Sequence, residues 1–177
     1  MSLYGEILGE RFASLPQSVQ RMHQPRPRLS AAGRCSVRRG KGFLVPVIAA
    51  IMRFPEPGED LPLHFEIEAL EGAERWRRRF AGSELVSTFR AHAGRLRENM
   101  GPLCLEQNLD LRADGLHLVP CRAWFLGVPL PHFLVPRVRA VAGEEQAADG
   151  PRYVFDVAAG LPWIGEVVRY RGWLRPD

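Results

Sequence analysis

Lysine is nearly missing from this chain. Lys41 stands alone among 24 basic residues, and every other one is arginine. The formal net charge is only +4, and the arginines are interleaved with Asp and Glu. So balanced a distribution lacks the clustered cations of a nucleic-acid surface, and no nucleic acid is expected as a partner. Long apolar runs are missing too. The longest, residues 42–52, is too short to cross a bilayer and contains Pro46, so no transmembrane segment is expected. No N-terminal stretch joins a positive region to an apolar one; no secretion signal is read, and the cytoplasm is the expected location.

Cysteine is scarce. Cys35, Cys104 and Cys121 are odd in number and lack metal-ligand spacing, which predicts reduced, small buried residues. His23, His64, His92, His117 and His132 are scattered, and no pair has helical ligand spacing, so no metal is expected. The turn Arg38-Arg39-Gly40-Lys41-Gly42 has neither the Walker spacing nor the three-glycine dinucleotide fingerprint. It reads as a solvated turn, and no cofactor is expected. Ser87 and Cys121 have no visible histidine base, so neither reads as a nucleophile.

What is present is an ordinary globular composition, 46% hydrophobic and 25% charged over 177 residues, expected to form a single domain. Residues 1–55 read as mainly helical with one strand. Leu3, Ile7, Leu8 and Phe12 recur at helical spacing behind Ser2, a potential N-cap. A second short helix follows Pro16 and is ended by Pro25 and Pro27. Leu29 to Arg39 alternates as a strand, and Phe43 to Phe54 reads as an apolar helix packed on a sheet. Residues 61–174 change texture to short alternating strands broken by glycine turns and one proline-rich crossing, Val128 to Pro136. An antiparallel meander this large curls. The expected fold is α+β, with N-terminal helices packed on a large, strongly curved sheet, a half-barrel or a barrel.

One stretch stands out. Read as a strand, Glu74 to Phe80 puts Arg75, Arg77 and Arg79 on one face and Trp76, Arg78 and Phe80 on the other. The two aromatics mark the second face as the core side, which sends Arg78 inward. A guanidinium is costly to bury unless acceptors pair with it. Three later strands each carry one polar residue in an apolar phase: Glu98 between Leu96 and Met100, Gln107 between Leu105 and Leu109, and Arg122 between Leu118 and Trp124. Tyr170 shares a phase with Val168 in the last strand. Trp76, Arg78, Glu98, Gln107, Arg122 and Tyr170 are therefore the candidate ligand-binding set. Either they form a satisfied network that fixes strand register, or they line a cavity where a few polar groups orient an apolar ligand.

The ordered series Trp76-x-Arg78-x-Phe80, Glu98-x-x-Gly101-Pro102, Gly115-Leu116, Gly127-x-Pro129-x-Pro131, Phe155-Asp156-Val157, Pro162-x-x-Gly165 and Tyr170-x-Gly172-Trp173-Leu174 resembles the bacterial family known as domain of unknown function 4166. The likeness spans about Leu15 to Leu174. That family is often found alone or behind an NAD(P)-binding, saccharopine-dehydrogenase-like domain, so the resemblance implies a ligand-binding or accessory role beside an NAD(P)-dependent oxidoreductase. It carries no catalytic residues to this chain. The leading expectation is a cavity for a small hydrophobic or amphiphilic, lipid-like ligand, with Arg78, Arg122 and Tyr170 anchoring its head and Glu98 orienting the arginines. One alternative is an enzyme using Glu98 or Tyr170 as acid or base on the same face. Another is a protein-docking module built on the Arg75, Arg77 and Arg79 stripe and the proline-rich crossing.

Overall fold

Ten antiparallel strands pair side to side until the last meets the first. The computed structural model describes residues 2–24 and 27–177. Pro25, expected to end the second helix, lies outside them. In chain order the elements are α1 (Leu3–Leu8), a 3-10 turn (Gly9–Ser14), α2 (Gln17–Met22), β1 (Arg28–Arg39), α3 (Val45–Met52), β2 (Gly58–Leu70), β3 (Ala73–Phe80), β4 (Ser83–His92), β5 (Arg95–Met100) and β6 (Leu103–Arg112). Then come β7 (Gly115–Phe125), β8 (Val128–Pro129), a second 3-10 turn (His132–Leu134), β9 (Arg137–Ala147), β10 (Gly150–Leu161) and β11 (Gly165–Pro176).

Strands β1 to β7 form a continuous meander. β7 then pairs with β9, and β9, β10, β11 and β1 complete the ring, with the two-residue β8 hanging on β7. The α+β reading holds, and the sheet is a closed barrel rather than a half-barrel. Closure gives each of the ten strands a neighbour on both sides, the shortest seam being β7–β9, paired from Leu116 to Leu118. It also leaves no open face for a helical layer, so the helices sit at the ends instead.

Connections alternate between those ends. The N-terminal end receives α1 and α2, with Tyr4, Leu8, Val19 and Met22 buried there. Ser2 caps α1 by accepting from the Gly5 N–H at 3.0 Å, as its position suggests. Carboxylates of the barrel hold both helix starts. Glu74 of β3 accepts from the Leu3 N–H at 3.3 Å, and Glu144 of β9 accepts from the Ser18 N–H at 2.9 Å. Each supplies an acceptor to a donor that a short helix leaves orphaned. The opposite end carries α3, whose Val45, Ala49 and Met52 are buried. Pro46 stands in its first turn, where a missing N–H costs nothing. Arg39 secures its far end, donating to the carbonyls of Phe54 and Pro55.

Along β2 and β3 the apolar phase faces inward (Leu63, Phe65, Ile67, Trp76, Phe80), while the charged phase pairs across the outer surface. Arg75 meets Glu68 at 3.3 Å, and Arg79 meets Glu84 at 3.1 Å and Glu66 at 3.3 Å. Arg77, between them in the expected stripe, makes no ion pair among the described residues. No helix among the described residues is long and apolar enough to cross a membrane.

The seam between β1 and β11 is so tight that only glycine fits at two places. A Cβ on Gly33 would run into the carbonyl oxygen of Trp173, and one on Gly172 into that of Arg34. Both obstacles are backbone, which cannot swing aside. Gly33→Ala or Gly172→Ala is expected to destabilise the fold by ~3 kcal/mol, read as a lower urea midpoint. Gly143→Ala, at a strand glycine without a positive φ whose added Cβ would meet nothing closer than 3.6 Å, is the control.

Candidate functional site

The inward face of β3 behaves as its alternation predicts: Trp76, Arg78 and Phe80 are all buried. Neighbouring strands bring the rest of the set into place. Register opposes Trp76 with Ser87 on β4, Phe89 with Glu98 on β5, and Leu96 with Gln107 on β6. The result is a polar chain running round four consecutive strands. Arg78 donates to the Ser87 hydroxyl at 3.1 Å and faces Glu98 at 3.8 Å, and Gln107 donates to Glu98 at 3.0 Å.

Arg78 is incompletely satisfied by these partners. A guanidinium has five N–H donors in a fixed fork. Among the described residues only Ser87 takes a hydrogen bond from it, and the Glu98 contact is too long to count as one. Rings supply much of the remaining environment. The guanidinium carbon lies 5.5 Å from the Trp76 centroid, 5.9 Å from Phe65 and 6.0 Å from Phe89. These contacts stabilise the cation without using its donors.

Above the guanidinium is a cavity of about 100 Å³, walled by the Arg78, Glu98 and Gln107 group on one side and by Tyr153, Phe155 and Tyr170 on the other. Tyr170 joins the set as expected, packed edge-on to Phe80 at 5.8 Å. Burial pushes the phenols of Tyr4, Tyr153 and Tyr170 above their ordinary value. All three are neutral hydroxyls at physiological pH, able to donate a hydrogen bond and poor as bases.

Arg122 does not join them. It is exposed on the outer face. The register slips between Glu106 and Gln107, which oppose Arg122 and Pro120 respectively, so Cys121 is an extra residue in β7. A bulge reverses the inside–outside alternation beyond it. Ala123, rather than Trp124, then points into the barrel, and Trp124 stacks outside under the Arg97 guanidinium at 5.0 Å. Strict alternation from Leu118 to Trp124 steps over that extra residue and mistakes the face.

Four residues of the site escaped the sequence reading, Ser87 of the polar chain and three of the cavity wall. Ser87 sits between Leu85 and Phe89 in an apolar phase, the same signal that picks out Glu98 and Gln107, and could have been found. Tyr4, His23 and Tyr153 arrive by the path of the chain and leave no local signal. His23 follows α2 and enters the cavity wall stacked on Tyr4 at 3.8 Å, with Trp76 beyond at 5.4 Å. Burial lowers its pKa to about 3, so the ring is neutral, and its Nδ1 is buried without a hydrogen-bond partner among the described residues. Such an orphan is expensive unless something fills the role.

A second chamber lies toward α3. It measures about 330 Å³ and is almost wholly apolar, walled by Ile48 and Met52 of α3, Leu103 and Leu105 of β6, and Leu130 and Leu134 of the proline-rich crossing. Val138 belongs to the walls of both chambers.

The model of the family described as Domain of unknown function (DUF4166) matches residues 15–174. The chain belongs to the DUF4166 family. No curated protein and no solved structure matches it. The DUF4166 match takes in α2, His23 and every strand of the barrel, and leaves α1 with Tyr4 outside. The polar chain through Arg78, Glu98 and Gln107 therefore lies within the matched span.

Proposed function

We propose that this DUF4166 barrel binds a small amphiphile with an anionic head, such as a carboxylate, received by Arg78. The observation that carries the reading is a buried guanidinium with donors to spare beside a cavity, backed by an apolar chamber that shares Val138 with it. A volume of about 100 Å³ suits a head group alone, while about 330 Å³ falls in the range of small-molecule pockets and suits a short tail. Tyr170 and Tyr153 would donate to the head, and Glu98, tied to Gln107, would hold the guanidinium in place. The aromatic walls exclude water, which strengthens each of these contacts. A carrier of this kind would hold a substrate or product for an NAD(P)-dependent oxidoreductase.

The acid–base alternative gains nothing from the geometry. Tyr170 is driven further from ionisation by burial, and Glu98 already accepts from Gln107.

Native mass spectrometry of the purified protein, followed by solvent extraction, tests the proposal. A retained acid of medium chain length, or uptake of decanoate by the emptied protein, is the expected result. A protein that arrives empty and takes up no acid of any length overturns it. Val138→Phe should separate the two chambers. It is expected to weaken decanoate binding by at least about tenfold while leaving the weak affinity for acetate unchanged, measured by calorimetry.

A further inference from the structure

The barrel's two ends differ in a way that the binding site does not use. Of the large apolar side chains left exposed among the described residues, all but Leu70 and Val86 belong to turns, short elements or, for Phe125, the last residue of a strand at the α3 end. Phe43 and Trp163 are 87% and 90% exposed, and Val47, Ile51, Leu126 and Phe133 stand more than half in water. Their elements adjoin one another. Ile51 and Leu161 both belong to the apolar chamber's wall, the Leu126 N–H bonds the Pro102 carbonyl of the β5–β6 turn, and Gly42 approaches Ile164 next to Trp163. An apolar rim of this extent is more than the scattered exposure normal for a folded chain.

The rim also carries cations. Lys41, Arg53 and Arg137 are exposed there and make no ion pair among the described residues, whereas the nearby Glu56 and Glu59 are taken by Arg39 and Arg38. Asp60 and Glu84 at the same end are paired with Arg34 and Arg79, and Glu166 is an exposed acid there with no ion pair among the described residues. Aromatic and aliphatic side chains standing clear of the surface, flanked by unpaired Lys and Arg, match the chemistry of an anionic bilayer interface. Rings and alkyl groups enter the headgroup boundary and cations meet lipid phosphates. The apolar chamber lies immediately behind this rim, so its contents would exchange with the acyl layer without crossing water.

We infer that the α3 end of the barrel is a docking face for an anionic lipid surface, through which the chamber fills and empties. What passes through rests on the amphiphile reading; the docking itself does not. The test is flotation of the purified protein with phosphatidylglycerol-containing vesicles against vesicles of phosphatidylcholine alone, at low and high salt. Preferential flotation with the anionic vesicles is expected. Phe43→Ser with Trp163→Ser should weaken it by more than about tenfold, and Lys41→Ser with Arg137→Ser by about fivefold for each cation removed. All four positions are exposed, and the variants should keep the wild-type decanoate affinity. That readout separates failure of the face from failure of the cavity.

Absence of binding to either vesicle overturns the inference. So does binding that survives the Phe43→Ser and Trp163→Ser changes, which would place the contact elsewhere on the arginine-rich barrel. A dimer in light scattering that those two changes convert to monomer would also overturn it, assigning the rim to a second copy of the chain.

Discussion

Arg78→Met should abolish uptake of decanoate, a loss of about 100-fold or more in affinity. The variant removes the charge that receives the head while keeping most of the side-chain volume. Truncating one partner of a buried charge contact costs ~2–5 kcal/mol, which sets that scale. Stability should fall as well, by ~3 kcal/mol, because Glu98 is left buried with only the Gln107 amide to meet it. The double variant Arg78→Met with Glu98→Gln removes both charges. It is expected to recover most of the stability and none of the binding. Urea denaturation and calorimetry on the same three proteins check both halves. If the pair served only strand register, the wild type would bind no acid and the double variant would differ from it only in stability.

His23 should make the fold acid-sensitive. Its folded-state pKa is about 3 against an ordinary value of 6.5, because burial between aromatic rings disfavours the imidazolium. Between those two values the unfolded chain binds a proton that the folded chain does not. Stability contributed by the neutral ring is therefore fully present above pH 6.5 and is lost as pH falls toward 3. The slope approaches about 1.4 kcal/mol per pH unit below pH 6.5, and the loss integrates to ~2.7 kcal/mol between pH 7.5 and 4.5. Glu74 acts in the opposite direction, since burial raises its pKa and its protonation in acid favours the folded state. His23→Phe keeps the stack on Tyr4 and removes the proton site. Comparing its urea midpoints with those of the wild type at pH 7.5 and 4.5 cancels Glu74 and leaves the histidine. The expected result is a variant that loses ~2.7 kcal/mol less than wild type over that interval. Equal losses would mean that His23 is not held neutral by burial.

These two residues also mark what could be read in advance. Arg78 was legible because a strand's alternation is local: Trp76 and Phe80 name the buried face, and the residue between them must share it. Glu98, Gln107 and Tyr170 follow by the same rule, and all of them meet at one cavity. His23 was not legible. Nothing near it in sequence signals a cavity, and its neighbours Tyr4, Trp76 and Tyr153 come from α1, β3 and β10. Arg122 shows where the local rule fails, since one extra residue at Cys121 inverts the face of everything after it.

Hydrophobic period and turn chemistry determined by themselves that helices would precede a long antiparallel meander, that the meander would bend, and that one arginine would be forced inside. Those properties depend on neighbours within a few residues. Whether the sheet closes, what plugs its ends and where the apolar rim gathers depend on contacts between distant segments. β7 returns to β9 across the proline-rich crossing, and Glu74 and Glu144 reach out to hold two helix starts. Such pairings are chosen by the cost of leaving strand edges and buried donors unsatisfied. That cost exists only once the whole ring is assembled, so the tertiary structure alone could decide it.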